Sequence, residues 1–343
     1  MNDKLQARQA QWRSAMFGEP AGPDRVRCTL CPFGCVLADG QLGVCKVRRN
    51  RGGTLETATY TAAVAQLTAI ERKPLYHVRP GSQVLTVAGP GCTFRCDYCI
   101  NYRLSQYGRA DDDVAPWIGE PAEPQTIAAQ AAAAGALLGM SYSEPSLAPE
   151  LTVDLASFGV PLVWKSNGYL TDRAVSAVAP ALLAVNIDVK AADEASHRHL
   201  TGASLGPVWD TIAQFHALGV WVEVSTPLIP GTSDSAESLR AIAARLASID
   251  PGIPWHLLRF TPDFRMSGSA PTPPSALAAA REIGRQSGLR FVYVERALGR
   301  DGRNTACPSC SLTLIDREVW RMVHNGITGG RCPRCDFSIP GRW

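Results

Sequence analysis

Val84-Leu-Thr-Val-Ala-Gly-Pro-Gly-Cys92-Thr-Phe-Arg-Cys96-Asp-Tyr-Cys99 is the stretch on which the fold of this chain turns. The apolar run Val84 to Val87 has the length of a buried strand, and the Gly89-Pro90-Gly91 turn ends it. Three cysteines follow in a CxxxCxxC run, with no fourth nearby. Three thiolates at this spacing can hold three irons of a cubane cluster and leave the remaining iron open. A cluster kept for electron transfer alone usually has four cysteine ligands. An open iron implies a small molecule that binds there and reacts. The alternative is a set of structural buried thiols or part of a zinc site. Free cysteines do act as small core hydrophobes, but a glycine-rich loop between a strand and a polar segment suits that reading poorly.

The arrangement resembles the signature of the radical S-adenosylmethionine (SAM) enzymes. The resemblance implies a [4Fe-4S] cluster whose open iron is chelated by the amino and carboxylate groups of SAM. One electron from the cluster then breaks the sulfonium C–S bond, usually giving a 5′-deoxyadenosyl radical that abstracts hydrogen from a substrate. The cofactor carries such chemistry, and the protein supplies orientation and exclusion of water.

Composition sets the surrounding expectations. The chain has 343 residues, 45% of them hydrophobic, enough for one large core with appendages. No apolar run approaches a membrane span. Residues Met1 to Met16 are polar and do not read as a secretory signal. A formal charge of +3 gives no support for a nucleic-acid surface, where a clustered basic face is expected. The eleven cysteines are odd in number and clustered, which points to metal ligation in a reducing cytoplasm rather than to disulfides.

Along the chain the pattern divides into a leader (1–24), a four-cysteine segment (25–54), connecting strands (55–81), a central α/β region (82–296) and a C-terminal module (297–343). In the central region, candidate strands lie at 84–88, 137–142, 162–165, 183–189, 220–226, 255–260 and 291–294. Alanine-rich helical stretches separate them. Strands alternating with helices predict right-handed parallel βα units. About six units predict a partial TIM-type (β/α)6 barrel, closed or nearly closed, with functional residues on the loops after the strands.

The strands carry polar residues where a barrel should be apolar. In Leu183-Ala-Val-Asn186-Ile-Asp188-Val-Lys190, period-two geometry puts Asn186, Asp188 and Lys190 on one face. Glu223 and Ser225 share a face of the next strand, and Lys165 and Asn167 do so in an earlier one. Glu144 follows another strand, and His256 and Arg259 come from a later one. Charges on central strands are costly unless paired or bound to a ligand. Their coincidence predicts a site at the barrel mouth.

A further set of motifs is similar to one family, the radical SAM enzyme of the AmmeMemoRadiSam system, related to the pyruvate formate-lyase-activating enzymes. The motifs are Cys28-Thr-Leu-Cys31-Pro-Phe-Gly-Cys35, Gly43-Val-Cys45, Glu71-Arg-Lys-Pro-Leu-Tyr-His77 and the cysteine run. Tyr142-Ser-Glu-Pro145, Ser166-Asn-Gly168, Asp188-Val-Lys190, Trp255-His-Leu-Leu-Arg259, Cys307-Pro-Ser-Cys310, Cys332-Pro-Arg-Cys335 and Ile339-Pro-Gly-Arg-Trp343 complete it. The resemblance implies that Cys92, Cys96 and Cys99 ligate the cluster and that Tyr98 lies by the adenine of SAM. It implies Glu144 on the SAM amino group, Asn167, Asp188 and Lys190 on the ribose and carboxylate, and His256 at a further cofactor contact. It also implies a flavodoxin- or ferredoxin-type electron donor and Memo-like and AMMECR-like partner proteins.

The outer cysteine groups have their own spacing. Cys307-x2-Cys310-x21-Cys332-x2-Cys335 is near that of a zinc ribbon, with an auxiliary iron-sulfur cluster as the alternative. Cys28-x2-Cys31-x3-Cys35-x9-Cys45 suits zinc or an auxiliary cluster equally. Two other functions are open at this stage. One is a glycyl-radical enzyme activase. The other, from a different class, is a zinc-dependent scaffold or nucleic-acid-binding protein built on the outer groups.

Overall fold

The sheet at the centre of the molecule runs in chain order. In this computed structural model, which describes residues 11–62, 64–106 and 119–343, eight strands pair side by side. They are β1 (Val64–Ala69), β2 (Gln83–Ala88), β3 (Leu137–Met140), β4 (Leu162–Ser166), β5 (Ala184–Asp188), β6 (Trp221–Leu228), β7 (Trp255–Arg259) and β8 (Val292–Val294). β1 is antiparallel to β2. Every later pairing is parallel. Residues 1–10 of the predicted leader lie outside the described residues.

Parallel strands need crossovers, and helices supply them. They are α1 (Pro124–Ala133), α2 (Pro149–Ala156), α3 (Asp172–Val178), α4 (Glu194–Thr201), α5 (Gly206–Ala217), α6 (Ala236–Ile249) and α7 (Pro274–Gln286). Their ends are written in the sequence. Thr171 and Ser235 cap α3 and α6 through side-chain oxygens that accept from Ala174 N and Ser238 N. Gly202, at φ 75°, ends α4 in the left-handed region. The strands bury both faces: Trp164, Val185, Ile187, Val222 and Val224 on one, and Thr86, Asn186, Glu223 and Ser225 on the other, are 0 to 1% exposed.

The predicted barrel is not closed. The sheet is open: among the described residues, β1 and β8 are its unjoined edges. It also has one parallel strand more than six units require, because β8 joins as a three-residue strand. Side chains bridge what backbone pairing leaves open. The segment between β1 and β2 passes beneath β5 and β6, where Pro74 O accepts from Asn186 Nδ2 (2.6 Å) and Glu223 accepts from Tyr76 N (3.0 Å) and His77 N (2.8 Å). The His77 ring then meets the Tyr293 hydroxyl of β8 at 2.7 Å.

A C-terminal antiparallel sheet of β9 (Thr305–Ala306), β10 (Thr313–Glu318) and β11 (Arg321–Asn325) packs on this corner. Its Arg317, wholly buried, donates to Tyr76 O (2.7 Å), Thr305 Oγ1 (2.8 Å) and Arg303 O (3.1 Å). At the other end of the chain, two small antiparallel sheets carry the first cysteine group. Their Arg48 forms a buried ion pair with Glu150 of α2 at 2.6 Å. Among the described residues no helix is long and apolar enough to cross a membrane.

Candidate active site

The C-terminal ends of the parallel strands open on a cavity of ≈ 380 Å³. Cys92, Cys96 and Cys99 form one wall, on the loop after β2. Gly91, at φ +84°, makes the turn that directs this loop. Its amide donates to Leu104 O (2.9 Å), and its carbonyl accepts from Glu144 N (3.3 Å). Arg95 N donates to Thr201 O (2.8 Å), so the end of α4 holds the loop from the other side.

The thiols sit among polar donors. Phe94 N donates to Cys92 Sγ at 3.3 Å, Asn167 Nδ2 reaches the same sulfur at 3.6 Å, and Ser105 Oγ lies 3.1 Å from Cys99 Sγ. Burial pushes the Cys96 thiol up to about 12, with nearby Lys190 acting in the opposite sense. Burial and the neighbouring Glu144 push Cys92 up as well. Such thiols stay neutral until a metal deprotonates them. The three sulfurs do not converge within 4.8 Å of one another, whereas those of Cys307, Cys310, Cys332 and Cys335 do. A single ion would draw its ligands together. Sulfurs bonded to separate irons stand further apart, so the three-cysteine wall fits a cluster.

Opposite the cysteines is a set of charged groups. Glu144, 4% exposed, accepts at Oε1 from Ser166 Oγ (2.6 Å) and Ser146 N (2.9 Å), and at Oε2 from Asn167 N (2.8 Å). A carboxylate offers about four lone-pair sites, so one remains for a ligand ammonium. Burial raises the pKa of Glu144, and these bonds counter it. Asp188 lies between Lys190 (2.8 Å) and Lys165, which also donates to Asn186 Oδ1 (2.7 Å). Burial opposes the charge of Asp188, yet the two lysines hold its carboxyl down to about 2. The Lys190 ammonium stands 5.7 Å from the centroid of the Tyr98 ring. Among the described residues the buried Tyr98 hydroxyl has no hydrogen-bond partner.

Eight of the nine residues expected at the cluster and SAM line this cavity: Cys92, Cys96, Cys99, Tyr98, Glu144, Asn167, Asp188 and Lys190. Asn167 has little left for a ligand, because Nδ2 donates to Thr93 Oγ1 (2.8 Å) and Oδ1 accepts from Tyr169 N (2.9 Å). His256 is not brought to the cavity. Its Nε2 meets Glu223 Oε2 at 2.6 Å, and its ring packs edge-on to Tyr76 at 4.8 Å. Glu223, wholly buried, spends its carboxylate on His256, Trp221 Nε1 and the two amides of the crossing segment. By register both share the face of Lys165 and Asp188, but the segment between β1 and β2 covers them there. Arg259 of the same strand reaches the cavity instead.

The sequence reading missed the rim. Arg72 and Arg296 stack on Trp320 at 4.4 and 4.3 Å, and all three line the cavity mouth. Arg72 lies inside the Glu71–His77 motif, which marked the segment but not this role. Nothing in the local sequence marks Trp320, which the C-terminal sheet delivers from afar.

The radical SAM superfamily model matches residues 86–242, from β2 into α6. An uncharacterized protein of Methanocaldococcus jannaschii is 31% identical over 335 residues, covering 95% of this chain and 98% of its own. The chain belongs to the radical SAM superfamily. Membership makes it an enzyme and implies SAM and a [4Fe-4S] cluster as cofactors. This radical SAM enzyme is also 30% identical over 124 residues to the isethionate sulfite-lyase activating enzyme of Nitratidesulfovibrio vulgaris, covering 36% of this chain and 40% of the relative. In fold it resembles a radical SAM methyltransferase from Sphaerobacter thermophilus, at TM-score 0.50 and 14% identity over 71% of each chain.

Proposed function

We propose that this enzyme cleaves SAM reductively at the Cys92–Cys96–Cys99 wall and abstracts hydrogen from a substrate held in the same cavity. When bound, the cluster and SAM supply a one-electron scission of the sulfonium C–S bond and the 5′-deoxyadenosyl radical that results. The protein supplies the frame. Cys92, Cys96 and Cys99 hold three irons and leave the last accessible. The free lone pair of Glu144 accepts from the SAM ammonium. Lys190 and Asp188, locked to each other, present a cation and an anion to the SAM carboxylate and ribose, and Tyr98 flanks the adenine. Asn167 pins the β4 turn to the cysteine loop, fixing Glu144 against the cluster.

The observation that carries this reading is the Glu144 carboxylate, buried, nearly saturated and facing the three thiols. Glu144→Gln should weaken SAM binding by about tenfold or more, a loss of roughly 1.4 kcal/mol. The check is the change in the EPR signal of the reduced cluster as SAM is titrated in. An unchanged titration would remove Glu144 from the site.

Arg72, Arg259 and Arg296 at the mouth favour a substrate that carries a carboxylate or phosphate. Within the superfamily, the motif set favours the radical SAM enzyme of the AmmeMemoRadiSam system, with a flavodoxin- or ferredoxin-type donor and Memo-like and AMMECR-like partners. The likeness to the isethionate sulfite-lyase activating enzyme favours a second reading, glycyl-radical activation. A glycyl-radical EPR doublet on an added glycyl-radical enzyme would select it. For the C-terminal cysteines we propose zinc. The Cys307–Cys335 and Cys310–Cys332 sulfurs lie 3.6 Å apart. Tetrahedral zinc with 2.3 Å bonds asks for about 3.8 Å.

A further inference from the structure

The N-terminal cysteines ring a pocket of their own behind the active site. Cys28, Cys31 and Cys45 are 7 to 9% exposed and Cys35 is partly buried. Leu30, Phe33 and Leu147 give the pocket apolar walls. Gly43 lies against both Cys35 and Cys45, a Cβ there standing at van der Waals distance from Cys35 Sγ (3.7 Å) and Cys45 Sγ (3.8 Å). Among the described residues these four sulfurs do not gather within 4.8 Å in threes or fours. In this they match the Cys92 wall and differ from the C-terminal set, whose sulfurs close to single-ion distance in the same molecule. Arg48 also lines the pocket, 1% exposed, with its Nε lacking a hydrogen-bond partner. Its charge is paired with Glu150, so what it offers the pocket is the one remaining Nε–H donor.

We infer that Cys28, Cys31, Cys35 and Cys45 hold a second iron-sulfur cluster, not zinc, and that it exchanges electrons with the first. Four thiolates leave it no open iron, which fits electron transfer and not SAM binding. Its position fits the same role. Thr93, next to Cys92, lines its pocket. The turn before Cys92 rests on its frame, since a Cβ on Gly91 would stand 2.6 Å from Cys45 O. One electron from a donor protein of the flavodoxin or ferredoxin class reduces this cluster and oxidises the donor. The same electron then passes to the first cluster, so none is gained or lost between them.

The test is metal and sulfide analysis of a Cys92→Ala/Cys96→Ala/Cys99→Ala variant reconstituted anaerobically. It removes the first cluster and so separates this inference from the proposed SAM chemistry. The expected result is about four irons and four sulfides per chain with about one zinc. An iron-free variant carrying about two zincs would overturn the assignment. Should the variant not fold, the wild type decides: about eight irons and one zinc support it, and about four irons and two zincs refute it. Electron exchange is read from EPR of the fully reduced wild type. Spin-coupled, broadened signals are expected, and a plain sum of two isolated signals would contradict exchange.

Discussion

Lys73 shows how far this enzyme goes in burying charge near its cavity. It is 1% exposed, and among the described residues its Nζ has no hydrogen-bond partner; it lies over the Tyr142 ring at 4.2 Å. Burial, helped by Arg72, lowers its pKa to about 7. The unfolded chain therefore binds more protons than the folded one between pH 7 and about 10.5, and stability should rise with pH across that window. Lys73→Met should remove this rise and stabilise the protein at pH 7 by a few kcal/mol. Urea denaturation at pH 7 and pH 9.5 checks it, and an equal slope in both proteins would contradict the argument. Other site residues were legible one at a time. The period-two reading put Asn186 and Asp188 on one face, and Lys165 donates to both. His256 was not legible in this way: it shares the face of Asp188, but Glu223 and the Tyr76 ring of the crossing segment take it up.

At the scale of elements, the open sheet rests on Glu223. This carboxylate joins β6, β7 and the segment between β1 and β2, and three of those bonds run to backbone amides or a ring of a neighbouring element. Burial works against its charge, but the bond and charge of His256, with His77 and the Tyr76 amide, keep its carboxyl below the ordinary range. Glu223→Ala would leave these donors buried and unpaired. It should cost about 3–5 kcal/mol, as losing one partner of a buried pair does. The check is the denaturant midpoint at constant slope, and a loss below about 1 kcal/mol would show that the network contributes little. The alternation of strands and helices was plain in the sequence, since the crossover helices each bury an apolar face and Thr171, Asp193 and Ser235 cap three of them. Closure was not. Whether the last strand meets the first depends on what fills the gap, and here Tyr76 and His77 of the crossing segment and Arg317 of the C-terminal sheet fill it from two separate places.

At the scale of the molecule, cysteine-bearing appendages flank the α/β sheet and each contributes to the active-site region. The C-terminal sheet supplies Trp320 to the mouth and Arg317 to the closed corner. Cys332→Ser should lose about one zinc per chain and lower thermal stability, because a structural zinc site contributes folding energy directly. Metal analysis with a melting curve measures both, and full zinc retention would exclude Cys332 as a ligand. The spacing of the cysteines announced these appendages, but their docking depends on contacts more than two hundred residues apart, such as Arg317 with Tyr76. The central claim is that the Cys92 wall and the Glu144–Asp188–Lys190 face act together to cleave SAM. Its direct test is mass spectrometry of the nucleosides formed from SAM by the anaerobically reconstituted, reduced protein beside Cys96→Ala. The account predicts 5′-deoxyadenosine from the intact protein and none from the variant. Methylthioadenosine in its place, or equal 5′-deoxyadenosine from both, would contradict it.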